Sequence, residues 1–136
     1  MSRSAKEIAR EYIGAVGDKR FDDLERLLHP DAAFGGTVKQ QSTGREAFVQ
    51  GFRHLAPVYT RVDVRDIVGD DNRAFVLYDF VTDTPAGSVL CGELLTVENE
   101  VVRSSTLIFD WRRWPEVITD LQRREHAAAT ARPVTA

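Results

Sequence analysis

An α+β domain is what this chain predicts, and three observations predict it. Apolar residues in roughly the first 55 positions recur at helical spacing. From Tyr59 onward the period changes to two, as in half-buried strands. Turn signals separate those alternating stretches, so an antiparallel meander follows three helices arranged around one strand.

Residues 5 to 16 place Ile8, Tyr12, Ala15 and Val16 on one stripe, and Gly17-Asp18 ends that helix. A short second helix turns Phe21, Leu24, Leu27 and Leu28 inward, with Asp22-Asp23 in its first turn, where negative charge suits the helix dipole. His29-Pro30 closes it, because the residue before proline avoids helical backbone; His29 reads as a helix-end residue rather than a ligand. Ala32 to Gln40 reads as a strand interrupted by Gly35-Gly36. "STGREAFVQGFRHLAPV" makes the third helix, with Ser42 or Thr43 as cap, Phe48, Phe52 and Leu55 on one face, and His54 off it and exposed.

Four strands come next: "RVDVRDIVG", "RAFVLYDFVT", "SVLCGELLTVE" and "EVVRSSTLIFDW". Turns at Gly69 to Asn72, Asp83 to Gly87 and Asn99-Glu100 join them. Pro115 to about Ala128 forms a final helix with Val117, Ile118 and Leu121 together. One domain over residues 1–128 and a frayed tail over 129–136 are expected.

The composition restricts the function. The 136 residues are 43% hydrophobic and 29% charged, with a net charge of −3, which suits a globular domain and argues against nucleic acid as partner. Arg112, Arg113, Arg123 and Arg124 form no basic stripe, since Glu116, Asp120 and Glu125 interrupt them. No apolar run approaches the roughly 20 residues of a membrane span, and the polar start lacks a leader pattern, so no membrane partner and a cytoplasmic protein are expected. Cys91 sits in an apolar stretch and reads as a small buried filler. There is no metal-ligand spacing, Gly-rich phosphate loop or Ser-His pairing; no metal and no cofactor are expected.

A two-residue turn at Asn99-Glu100 fixes an expected pairing. Glu98 opposes Val101, and stepping outward Glu93 opposes Thr106, Cys91 opposes Ile108 and Val89 opposes Asp110. Glu93, Ser104, Thr106, Ile108 and Asp110 then share one surface of apolar walls and convergent polar groups, as a small-molecule pocket does. The opposite surface, with Leu90, Leu94, Ser105, Leu107, Phe109 and Trp111, is apolar enough to meet a second copy, so a homodimer through the sheet is expected. A one-residue slip in either strand exchanges its two faces.

The segments "EYIGAV-GD--FDDLERLLHPDAAF", "TGREAF" and the closing "LIFDW" resemble the nuclear transport factor 2-like superfamily, and within it the SnoaL-like branch of polyketide cyclases and limonene-epoxide hydrolases. The resemblance spans about residues 5 to 114. It implies a cone, a curved antiparallel sheet wrapped around three helices with a pocket at the open end, and a dimer. It also implies a general acid/base role for Asp110. In the epoxide hydrolases the matching Asp works with an Arg-x-Asp segment; here that segment is Leu77-Tyr78-Asp79, which keeps the acid and lacks the arginine.

Placed near Cys91, Asp79 joins Glu93 and Asp110, and carboxyls crowded in an apolar cavity raise at least one pKa. One acid then holds a proton while another accepts one, which suits proton transfer beside a carbonyl. Asp110 and Asp79 are the expected catalytic acids, Tyr12 is the donor to a developing enolate oxygen in preference to Tyr78, which the expected pairing puts on the other face, and Phe34 and Phe52 complete the expected pocket wall. Structural roles stand beside these: Asp110 bridging Arg112 or Arg113, Asp79 capping a turn or pairing with Arg73, Glu93 bonding Thr106 or a buried water, and Tyr12 packing a helix. The expected function is a cofactor-free isomerase, cyclase or hydrolase of a small apolar molecule. A non-catalytic ligand carrier or a dimeric interaction module is the alternative.

Overall fold

The structure, a computed structural model, describes residues 3–37 and 41–131. Its first helix, α1 (Ala5–Gly17), starts where Ser4 accepts the backbone N–H of Glu7 at 3.2 Å, satisfying one of the donors a helix start leaves free. It buries Ile8, Tyr12 and Val16, the stripe read from the spacing. Then follow α2 (Phe21–Arg26), β1 (Leu28–Gly36), β2 (Ser42–Thr43), α3 (Arg45–Leu55), β3 (Tyr59–Gly69), β4 (Arg73–Thr82), β5 (Ser88–Glu98), β6 (Val101–Phe109) and α4 (Trp114–Ala131).

Several boundaries differ from expectation. The second helix stops at Arg26 and Leu28 already begins β1. Pro30 lacks an N–H for a ladder, and the pairing of β1 is irregular between Leu28 and Ala33. Inside that irregularity His29 Nδ1 accepts the N–H of Asp31 at 2.9 Å. Ser42 and Thr43 pair with Phe34 and Ala33 as β2 rather than capping α3, whose N-cap is Gly44. Val38 to Gln40, the end of the expected first strand, and the tail from residue 132 lie outside the described residues. The closing helix runs three residues past its expected end at 128.

The six strands form one curved, unclosed sheet in the order β2-β1-β6-β5-β4-β3. The expected antiparallel sheet is in fact mixed. β3 to β6 make the antiparallel meander, but β1 joins β6 in parallel, with Ala33 opposite Ser104 and Phe34 opposite Ser105. The long crossover that a parallel pair requires is supplied by everything between the two strands. Extra residues on one strand of a pair bend and twist a sheet. Three occur here, at Thr60 and Arg65 of β3 and at Arg103 of β6.

Helix α1 crosses the inner face of β3, β4 and β5, while α3 lies against β1. Their shared core includes Ile8, Tyr12, Leu24, Val76, Tyr78, Leu95 and Val102. A smaller cluster of Val58, Ala86, Val117 and Leu121 anchors α4. This is the α+β cone, with helices filling the concave side of the sheet and an opening left between β1, β6, α3 and the start of α4.

Candidate functional site

Glu93 stands mid-way along β5 on the concave face, opposite Val76 of β4 and Leu107 of β6. It is 1% exposed. Three hydroxyls converge on its carboxyl group. Tyr12 of α1 donates to Oε2, Ser105 of β6 donates to the same oxygen at 2.7 Å, and Tyr78 of β4 donates to Oε1 at 2.9 Å. No cationic side chain pairs with it among the described residues. The helical stripe that buries Ile8 and Val16 also brings Tyr12 to the sheet, and period-two alternation puts Tyr78 and Glu93 on one face.

Burial raises the proton affinity of Glu93 above the ordinary carboxyl range, although its three hydroxyl bonds pull the other way. The phenols of Tyr12 and Tyr78 are pushed well above their usual value, by burial first and by the neighbouring Glu93 charge second. Burial also pushes the Cys91 thiol up to about 12, which leaves it protonated and unreactive.

Beside this network lies a cavity of about 290 Å³. Its walls are Phe34 and Gly36 of β1, Phe48, Phe52 and Leu55 of α3, Leu107 and Phe109 of β6, and Trp114 of α4. Tyr12, Glu93 and Ser105 present the convergent polar groups, with Thr37 and His54 also in the lining. Phe34 packs against Phe48 with the rings tilted and their centres 4.8 Å apart, and Phe109 meets Trp114 edge-on at 5.1 Å. Gly36 is dictated by close approach: a Cβ there would lie 1.7 Å from the Leu107 carbonyl oxygen. The arrangement is that of a small-molecule site, apolar walls with few oriented polar groups.

Among the expected site residues, Tyr12, Phe34, Phe52 and Glu93 line this cavity. Ser104, Thr106, Ile108, Asp110 and Asp79 do not. The expected turn is present: Asn99 and Glu100 both adopt positive φ, and Glu98 pairs with Val101 and Val97 with Val102. Beyond that point Arg103 is an extra residue, so Thr96 pairs with Ser104 and Glu93 with Leu107. The slip turns Ser104, Thr106 and Ile108 to the convex face and brings Ser105, Leu107 and Phe109 inward. Arg103 donates to the Asp31 carbonyl at 2.6 Å, next to Pro30, so its displacement answers the irregularity in β1.

Asp110 follows the end of β6, and Arg112 grips it through Nη2 at 2.6 Å and Nε at 2.8 Å. That guanidinium lowers its pKa to about 2. It is therefore the ion pair with Arg112 that was the alternative to a buried acid. Asp79 sits opposite Leu90, and Tyr78 takes the place beside Cys91 that had been expected for Asp79. Asp79 thus points to the convex face, where Arg65 forks onto it at 2.8 and 3.0 Å, not Arg73. Sequence reasoning put Tyr78, Ser105, Leu107 and Phe109 on the opposite face and gave no site role to Trp114 or to His54, whose side chain is, as expected, exposed, at 61%, where it joins the lining. The parity of β4 alone, with Phe80, Tyr78 and Val76 all buried, was the signal that could have found Tyr78.

No group of three or more His, Cys, Asp or Glu side chains is arranged to hold a metal among the described residues. Nor is any described helix long and apolar enough to cross a membrane.

Comparison with known proteins places this geometry in context. No curated protein matches the chain. A protein from Kribbella flavida matches with TM-score 0.78 at 22% identity, over 90% of this chain and 99% of its own. A candidate ketosteroid isomerase from the same organism matches with TM-score 0.69 at 16% identity, over 78% of this chain and 77% of its own. A candidate polyketide cyclase from Xanthomonas campestris gives TM-score 0.66 at 21% identity, over 83% of this chain and 96% of its own. Identities this low speak for the fold alone. The family model of the SnoaL-like domain matches residues 9–104, and with the cone and its cavity described, the chain belongs to the SnoaL-like family.

Proposed function

We propose that the cavity binds a small, largely apolar molecule carrying one carbonyl or enol-like oxygen, and that the protein is a cofactor-free isomerase or cyclase acting beside that oxygen. The observation that carries this reading is Glu93, a buried acid with three hydroxyl partners and no cation, opening onto an aromatic-walled cavity. An uncompensated buried carboxylate is costly, so burial favours the neutral acid. A protonated Glu93 must itself donate to one of its hydroxyl partners. Where that partner is Tyr12 or Ser105, both of which line the cavity, its own hydrogen is free for a ligand. Such a preorganised donor suits an oxygen on which negative charge develops. The candidate isomerase and cyclase among the structural relatives agree with this class of chemistry. Hydrolysis by paired aspartates has less support, because Asp110 and Asp79 stand in ion pairs away from the cavity.

Titration with 2-naphthol, an analogue of an enol, tests the site. One hydrogen bond contributes about 1 kcal/mol, so Tyr12→Phe is expected to weaken binding roughly fivefold. Unchanged affinity in Tyr12→Phe, or binding unaffected by Leu107→Arg, contradicts the placement. A carrier without turnover would show the same binding and no acceleration of proton exchange in a bound ketone. We also propose that two copies pair through the convex face, which exposes Leu90, Leu94 and Ile108.

A further inference from the structure

Three titratable side chains line the cavity among the described residues: Tyr12, Glu93 and His54. Two of them are poor proton acceptors toward a ligand. Both oxygens of Glu93 are already engaged with hydroxyl partners, and Tyr12 is a phenol that offers a hydrogen rather than a base. Removing a proton from carbon needs a base with a free lone pair, and imidazole is the side-chain type suited to this near neutral pH.

His54 stands in the last turn of α3, next to Leu55 of the cavity wall. Its Nδ1 lies 3.3 Å from Oε1 of Glu125 on α4. A carboxylate beside Nδ1 favours the tautomer with its hydrogen on that nitrogen, which leaves the lone pair on Nε2. The neighbouring cation, Arg53, is turned away onto Asp22 and the Phe21 ring, so Glu125 is the charged group that faces the imidazole. The cavity therefore has a hydroxyl-and-acid network at one part of its lining and an oriented imidazole at another.

We propose that His54, held by Glu125, is the base that removes a proton from the carbon adjacent to a ligand carbonyl. This rests on the proton-transfer reading above. Nε2 takes the proton, the C–H electron pair becomes the enolate double bond, and the carbonyl π pair moves onto oxygen, where the Tyr12 hydroxyl, backed by Glu93, receives it. The imidazolium then returns the proton. Delivery to the γ carbon of an unsaturated ketone completes an isomerisation. Attack of the enolate carbon on a second carbonyl, with the proton delivered to the new alkoxide, completes a ring closure. Each proton taken is given back, and no co-reactant enters. Glu125 acts through His54 and is a positioning residue.

The probes are 2-tetralone, whose α-proton exchange in heavy water is followed by NMR, and 2-naphthol, its enol analogue. Wild type is expected to accelerate exchange over buffer. Removal of a general base typically costs 10²- to 10⁴-fold, and His54→Gln is expected to lose the acceleration by that factor while 2-naphthol affinity stays within about threefold. Glu125→Gln is expected to slow exchange less than His54→Gln does, and Glu125→Asp less again, with 2-naphthol affinity within about threefold in both. On saturation with 2-naphthol, the ring resonances of His54 shift while those of His29 and His126 do not. Exchange at the wild-type rate in His54→Gln overturns the assignment and leaves the proton-transfer reading standing. A wild type that binds 2-naphthol without accelerating exchange overturns that reading and the assignment with it. An unmoved His54 resonance overturns the assignment alone, and failure to bind 2-naphthol overturns the ketone site itself.

Discussion

Glu93 is a single carboxyl whose surroundings decide its chemistry. Burial holds its pKa above that of a carboxyl in the unfolded chain, about 4.3. Its contribution to stability is then fully present below that value and is lost as pH rises through the raised folded value. Glu93→Gln has no such dependence, so the melting temperature of wild type minus that of the variant is expected to fall as pH rises above about 4. A constant difference across that range would contradict the raised pKa. At Asp110 the expectation is the reverse: a solvent-facing pair with Arg112, so Asp110→Asn should leave 2-naphthol binding intact and the melting temperature near neutral pH almost unmoved. At this scale Tyr12 and Glu93 were legible in the sequence, because a helical stripe and a strand's alternation place them without knowledge of any partner. Asp110 was misplaced because the residue type and the family resemblance agreed on it while the strand register did not.

The register belongs to the elements. Asn99-Glu100 was readable as a turn, and it forms one with both residues at positive φ. Arg103 was not readable as the extra residue, since the group it bonds, the Asp31 carbonyl beside Pro30, lies on a strand about 70 positions earlier. One such insertion exchanged the two faces of β6 and so exchanged Ser104, Thr106 and Ile108 for Ser105, Leu107 and Phe109. The same strand pair supplies a further prediction. Gly36 lets β1 lie against Leu107, and forcing a methyl into such a contact costs on the order of 1–3 kcal/mol. Gly36→Ala should therefore lower the melting temperature and weaken 2-naphthol binding together, since Gly36 and Leu107 both form the cavity wall. A variant as stable as wild type would show that β1 can move away at no cost.

For the whole molecule, the change from helical to alternating periodicity was enough to read an α+β architecture, and six strands with helices on the concave face follow it. The parallel joining of β1 to β6 was not legible, since nothing local to Ala32–Gly36 names a partner about seventy residues away. The convex face carries Ile108 at 55% exposure with Leu90 and Leu94 also exposed, and an apolar patch on a sheet is characteristically a contact surface. Light scattering is expected to report a dimer for wild type and a monomer for Ile108→Arg, with the cavity still able to bind. A wild-type monomer at micromolar concentration would remove the dimer proposal without touching the site.

The central claim is that a neutral, hydroxyl-bonded acid opens onto a ligand cavity. Titrating the Glu93 side-chain carboxyl carbon by NMR, with and without 2-naphthol, tests it most directly. A midpoint above the ordinary ~4.3 and a resonance that moves on ligand binding are expected. A midpoint at or below that value, with a resonance indifferent to the ligand, would contradict it.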